Sequence, residues 1–307
     1  MNENGEILFH EYFKQWMEMY KAGAVRDVTF SKYKQSYKWL VKIAPDVRVC
    51  DLNRLTYQKI INDYGKEHER QTVMDFHHQI KGSIMDAIDD GMIGRDPTRK
   101  VVIKGRKPRT KKMKYLGSRE LEALIATLEL GNEPDWNWLI LLTAKTGMRF
   151  SEVLGLTVED FDFAKQEISI NKTLDYKKTM EFTLTKNRSS VRIIKMDWKL
   201  FVQMQELLKD IPKDRRVFLF DGKKIYNSTV NDFLARKCKE CKVPPIGIHA
   251  LRHTHASILL YEGVSIASVA KRLGHASMST TQKTYLHIIT ELENKDNNKV
   301  MSAMCGF

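Results

Sequence analysis

Apolar residues recur at three- and four-residue steps through residues 1–94: Phe9, Phe13, Trp16 and Tyr20; Phe30, Tyr33, Tyr37 and Leu40; Tyr57, Ile60, Ile61 and Tyr64; Val73, Phe76, Ile80, Ile84 and Ile88. That period lays one apolar stripe along each helix. The segment is therefore expected to be an all-α bundle of about four helices with aromatic side chains in its core. His77 and His78 are adjacent, point to different helix faces and are poorly placed to share a metal.

Beyond residue 115 the pattern changes. Residues 121–130 and 136–144 read as helices, and 151–156 opens another. Ile168 and Ile170, Phe182 and Leu184, and Val191 and Ile193 each alternate with polar residues, as a small, half-exposed antiparallel sheet requires. Helical periodicity returns over 250–261 and 266–273. Residues 115–307, including a C-terminal tail, are expected to form a mainly helical α+β domain. Between the two halves, residues 95–114 (RDPTRKVVIKGRKPRTKKMK) follow Gly91, Gly94 and Pro97 and contain Gly105 and Pro108, which predicts an extended interdomain linker.

Composition narrows the class. With 42% hydrophobic residues, 16 Gly and 7 Pro in 307 residues, the chain can bury a core and is neither disordered nor collagen-like. The most apolar run, 138–144, is too short to span a bilayer and the N-terminus lacks a signal core, so a cytoplasmic location and no membrane partner are expected. Four cysteines do not make a disulfide framework. No GxxxxGK[ST] or GxGxxG occurs, which leaves nucleotide-driven and dinucleotide chemistry without support.

The formal charge of +13 is unevenly placed. Residues 1–94 hold 13 basic and 14 acidic side chains, residues 95–114 hold 10 and 1, and residues 115–307 hold 28 and 23. A basic segment of this kind is either a solvated linker or a strap that neutralises phosphates and releases counterions. Arg106, Lys107, Arg109, Lys111 and Lys112 are the candidate DNA contacts.

Chemistry-bearing residues lie in four patches of the second half. In Thr146-Gly147-Met148-Arg149-Phe150-Ser151-Glu152, a glycine turn precedes a helix start that Ser151 is suited to cap, and Arg149 stands at an anion-binding position or pairs with Glu152. In the polar stretch 185–192, Lys186 sits at a hairpin tip, as solvent decoration or as a proton donor. In Gly247-Ile248-His249-Ala250-Leu251-Arg252-His253, His249 and Arg252 share a helix face. Cys238, Cys241, His249 and His253 mimic a zinc site, but only seven residues separate Cys241 from His249, short of finger spacing, so no metal is expected. In the stretch 273–285, Gly274 ends one helix, the Ser/Thr cluster caps the next, and Tyr285 falls within that helix.

The order Arg, Lys, His-x-x-Arg, Gly-His, Tyr resembles the tyrosine recombinase (phage integrase) family, of phage or conjugative-transposon type, over essentially the whole chain. The resemblance implies a SAM-like core-binding, DNA-binding domain over 1–94, the basic linker, and a catalytic domain over 115–307. Arg149, Lys186, His249, Arg252, His275 and Tyr285 match the family's catalytic positions, and Glu152 an acidic position that orients Arg149. Implied with them is a site-specific recombinase that cleaves and rejoins DNA through a 3′-phosphotyrosyl intermediate, without metal, ATP or other cofactor, to integrate or excise a phage or mobile element. Its implied partners are double-stranded DNA, three further copies in a homo-tetramer on that DNA, and directionality or bending factors, inside a bacterial host cell. Many members carry a further N-terminal arm-binding domain; this chain starts at the core-binding helices, as a simpler or a shortened member. Two rivals are less favoured: a metal-dependent nuclease using Glu159, Asp160 and Asp162, and a non-catalytic helix-turn-helix regulator built on 265–273.

Overall fold

The computed structural model describes residues 6–107, 115–185, 187–218 and 225–285. The chain divides into two compact units, Met1–Lys111 and Lys112–Phe307.

The first unit is a bundle of α1 (Phe9–Tyr20), α2 (Asp27–Ile43), α3 (Arg54–Gly65) and α4 (Arg70–Asp89). The stripes meet as the periodicity requires: Phe9, Phe13 and Trp16 pack with Leu40, Tyr57, Ile61, Phe76, Ile80 and Ile84. Asn53 starts α3 by accepting from the backbone N–H groups of Leu55 and Thr56 at 2.9 and 3.1 Å. His77 and His78 part as expected, His78 to solvent and His77 inward. There His77 Nδ1 lies 2.7 Å from the Tyr57 hydroxyl. Burial, then the charges of His78 and Lys81, hold His77 near 4, so it is a neutral core residue.

The basic segment is not extended throughout. Val101 and Ile103 pack on the bundle core, Gln58 exchanges two 2.9 Å hydrogen bonds with the backbone of Val102, and the Arg106 N–H donates to His68 O at 2.8 Å. Gly105 is needed for this approach, since a Cβ there would stand 2.5 Å from Arg70 N. Two apolar residues, a backbone clasped by Gln58 and a glycine thus dock residues 101–106 onto α3 and α4 despite the surrounding charge. Arg109, Lys111 and Lys112 lie outside the described residues.

The second unit is α+β. Its centre is α6 (Trp136–Thr146), apolar on nearly every face and packed against α10 (Ile248–Tyr261), as a helix buried all round must be. Around them stand α5 (Ser118–Ala126), α7 (Phe150–Leu154), α8 (Trp198–Leu208), α9 (Asn227–Glu240), α11 (Ile266–Leu273) and α12 (Met278–Thr284). Strands β1 (Phe161–Asp162), β2 (Glu167–Ile170) and β5 (Arg192–Lys195) form one antiparallel sheet, and β3 (Lys172–Leu174) pairs with β4 (Phe182–Leu184) in a separate hairpin.

The expected single sheet is therefore two, and the phase of one strand is reversed. Val191 and Ile193 face solvent, whereas Arg192 and Ile194 are buried. Arg192 turns inward because a buried carboxylate awaits it there, and Ile194 meets Ile168 across the ladder. The helix expected over 121–130 ends at Ala126.

Candidate active site

Two turns and one helix of the second unit converge on one place. The first is the α6–α7 turn. Gly147 takes the left-handed conformation (φ +68°) that ends α6, and Arg149 follows as the residue that starts α7. Ser151 does not cap that helix. The Glu152 carboxylate does so by accepting the Arg149 backbone N–H at 2.9 Å, because a side chain three residues inside the helix reaches back to the orphan donor. Glu152 also accepts from Arg149 Nη1 at 2.7 Å. Glu152 is 1% exposed. Burial alone would raise its pKa, but the hydrogen bonds and charge of Arg192, with the charge of Arg149, hold it below the ordinary carboxylate range.

The second element is the N-terminal half of α10. Arg252, 3% exposed, spends its fork on main-chain oxygens: Nη1 donates to Gly147 O at 2.8 Å and Nη2 to Leu273 O at 2.6 Å. Burial, then the Arg149 charge, lower its pKa to about 9, which leaves it a cation at neutral pH. His249 stands one turn earlier, exposed, with its ring centroid 5.2 Å from that of His253. The protein around it and the cations Arg252 and Arg149 hold its imidazole below 6.5.

The third is the turn after α11. Gly274, at φ +67°, ends the helix, and Arg149 Nη2 donates to its carbonyl at 3.3 Å. His275 Nδ1 lies 2.7 Å from Thr281 Oγ1. Burial, followed by the cations Arg252, Arg149 and Arg192, brings His275 to about 4 and keeps it neutral. Ser277 caps α12 at Ser279 N, and Tyr285 is the residue that closes α12, just past its last turn rather than within it. Its ring is 2% exposed and packs with Ala256, Leu260, Val269 and Leu273.

The Tyr285 hydroxyl meets His253, at 2.9 Å from Nδ1. Burial pushes the phenol up to about 12 against the opposing pull of Arg252. Of the six residues expected from sequence, Arg149, Arg252 and His275 gather around the 273–275 turn, Tyr285 lies beside them under an apolar cover, and His249 is one helical turn away. Lys186 lies outside the described residues. The cysteines of the rejected zinc pattern are engaged elsewhere, Cys238 buried in the core and Cys241 Sγ 3.2 Å from Lys237 O. Among the described residues no cluster of three His, Cys, Asp or Glu is placed to hold a metal.

Sequence reasoning missed three residues. His253 was noticed only as a metal candidate. His255, buried, lies 3.0 Å from Ala144 O through Nδ1 and accepts from Arg272 Nε at Nε2, locking α10 to α6 and α11. Arg192 makes a bidentate pair with Glu152, at 3.2 and 2.9 Å. No local signal marked it, because the alternation of Val191 and Ile193 assigned Arg192 to the outward face.

A family model described as the Phage integrase family matches residues 114–291, more than half of the chain. The ICEBs1 integrase of Bacillus subtilis is 24% identical over 87% of this chain and 77% of its own length. Among solved structures, the Tn1549 transposon integrase in complex with transposon right end DNA has a TM-score of 0.74 at 18% identity, covering 91% of this chain and 95% of its own. A lambda integrase tetramer bound to a Holliday junction has a TM-score of 0.65 at 17% identity, covering 90% and 80%. At those identities the likeness is one of fold.

Proposed function

The chain belongs to the phage integrase family and is a tyrosine-type site-specific recombinase, and on that premise we propose which of its residues carry strand exchange. Tyr285 Oη attacks the scissile phosphorus of duplex DNA. The P–O5′ bond breaks, its electron pair leaves with the 5′ oxygen, and Lys186 protonates that oxygen. The 3′ end is then held as a phosphotyrosyl ester that retains the energy of the broken bond, and attack by a 5′-hydroxyl reverses the step.

The transition state gathers negative charge on the non-bridging oxygens. Arg149 and Arg252 supply charge-assisted donors there from the N–H groups that their protein contacts leave open, and neutral His275 adds one more. His249, exposed on the face it shares with Arg252, positions the phosphate. His253 accepts the phenolic proton, a role that the family resemblance offers His249 as an alternative to positioning the phosphate. The observation that carries this assignment is the 273–275 turn: two consecutive carbonyls each hold one arginine, and the next residue is His275. Without DNA the phenol is covered, so attack requires Tyr285 to leave its pocket as the duplex seats.

The recombination integrates or excises a phage or mobile element in the cytoplasm of a bacterial host, with four copies of the chain on two duplexes and accessory directionality or bending proteins. The similarity to the ICEBs1 integrase, the Tn1549 transposon integrase and the lambda integrase tetramer on a Holliday junction supports this reading. Lys107, Arg109, Lys111 and Lys112 run along the DNA backbone.

The test is covalent trapping. The chain incubated with element DNA is expected to give an SDS-resistant adduct whose DNA, recovered and sequenced, defines the site, and Tyr285→Phe is expected to give none. An adduct that persists in Tyr285→Phe overturns the nucleophile; no adduct from the parent on its own site returns the chain to the class of DNA-binding regulators.

A further inference from the structure

Three successive carbonyls at the C-terminal end of α11 each receive one guanidinium. Arg272 O accepts from Arg192 Nε at 2.6 Å, Leu273 O from Arg252 Nη2 at 2.6 Å, and Gly274 O from Arg149 Nη2 at 3.3 Å. The last carbonyls of a helix have no partners within it and carry the negative end of its dipole, so this end is a natural seat for cations. Two of the three arginines face the phosphate in the reading above. The third is Arg192, which that reading does not use.

Arg192 is buried, and four of its five N–H donors are engaged. Besides Arg272 O, it donates to Ser190 O at 2.9 Å and to both oxygens of Glu152. Each Glu152 oxygen thus receives one bond from Arg192 and one from Arg149, through Nη1 or the backbone N–H. The charges decide what this achieves. One carboxylate facing Arg149 alone would neutralise it and claim its fork bidentately. With Arg192 sharing both carboxylate oxygens, the trio keeps a net positive charge, and Arg149 keeps donors for phosphate. Gly274 records how close the contact is: a Cβ there would stand 2.9 Å from Arg192 Nη1.

We propose that Arg192 is a positioning residue for strand cleavage, resting on the recombinase reading above. It holds Glu152 so that Arg149 stays cationic with N–H donors left over for phosphate, and it fixes the end of α11 from which His275 projects. It does not touch DNA. A lysine cannot replace it, because one ammonium cannot span a carboxylate and two carbonyls in separate directions.

Single-turnover cleavage of a nicked duplex carrying the site recovered by trapping tests this, using the full chain, with duplex affinity and circular dichroism measured alongside. Arg192→Met and Arg192→Lys are expected to bind within about threefold of the parent and to cleave on the order of 10²-fold more slowly. Because Arg192 acts through Arg149, adding Arg192→Met to Arg149→Ala is expected to cost far less than it costs the parent. Its deficit is also expected to shrink on a duplex with a methylphosphonate at the scissile position, which removes the charge that Arg149 meets. A merely structural arginine predicts multiplied losses and an equal deficit on both substrates, and that result overturns the inference. If Arg192→Met fails to fold, Arg192→Met combined with Glu152→Gln, which removes the buried carboxylate charge as well, takes its place in the same comparisons. Cleavage by Arg192→Lys at the parental rate overturns only this inference, whereas a parent that forms no adduct overturns the recombinase reading with it.

Discussion

Tyr285 Oη and His253 Nδ1 lie 2.9 Å apart, thirty-two residues from one another in sequence, with the tyrosine ring beneath an apolar cover. A phenol whose pKa burial raises to about 12 carries its proton throughout the neutral range. It must surrender that proton as it attacks, and the nearest acceptor is this imidazole. His253→Gln keeps a hydrogen-bonding side chain but cannot take up a proton near neutrality. Single-turnover cleavage is therefore expected to fall on the order of 10²-fold at pH 7, with DNA affinity unchanged and with part of the loss recovered as pH rises. Parental rates for His253→Gln across that range would return the proton to His249.

Acid should destabilise the fold through His255. It is 8% exposed. Burial, then the charge of Arg272, bring its pKa from 6.5 to about 3. Below pH 6.5 the unfolded chain takes up a proton that the folded chain refuses. The stability this group supports is thus complete above pH 6.5 and is lost as pH falls toward 3. The loss amounts to about 2 kcal/mol between pH 7 and pH 5. Urea unfolding at both pH values measures it, and His255→Gln should reduce the parental difference by about that amount. Equal pH dependence in variant and parent would refute the assignment.

Gly147 is where the backbone itself positions the site. Its φ of +68° strains any residue with a Cβ, and that Cβ would stand 2.7 Å from His255 Cδ2 and 2.9 Å from Leu273 Cδ2. His255 cannot yield, since both its ring nitrogens are engaged. Strain of about 1–2 kcal/mol and overpacking of about 1–3 kcal/mol are expected to add. Because Gly147 O also holds Arg252, Gly147→Ala should lose cleavage at temperatures where it remains folded. A variant with parental urea midpoint and rate would show that the turn tolerates a side chain.

The helices were legible because one-dimensional periodicity maps directly onto a buried stripe, as in α1 through α4, α10 and α11. The end of α11 was legible because Gly274 alone suits its left-handed cap. What escaped were pairings between distant parts of the chain. Nothing near Arg192 announces that Glu152, forty residues earlier, waits inside the fold, so alternation chose Val191 and Ile193 as the inward pair. His253 looked like a metal candidate because its partner, Tyr285, lies thirty-two residues later in sequence. Residues 101–106 carry the charge of a free linker, yet Val101 and Ile103 anchor them.

That docked segment sharpens what the basic stretch should do. Arg106 is committed to the bundle: its Nε donates to Lys66 O, and its N–H to His68 O. Replacing it would disturb the bundle as well as remove charge, so the clean experiment leaves it in place and changes Lys107, Arg109, Lys111 and Lys112 to glutamine. The bundle carries 13 basic and 14 acidic side chains and attracts DNA weakly by bulk charge. The stretch is therefore expected to supply much of the counterion release. Each phosphate contact removed lowers the slope of log affinity against log salt by about 0.9. If all four contact phosphates, the fourfold variant should show a slope shallower by about 3 to 4, while cleavage at saturating protein stays at the parental rate. An unchanged slope would mean that residues 107–112 only connect the two units, and that phosphate contacts reside on their folded faces.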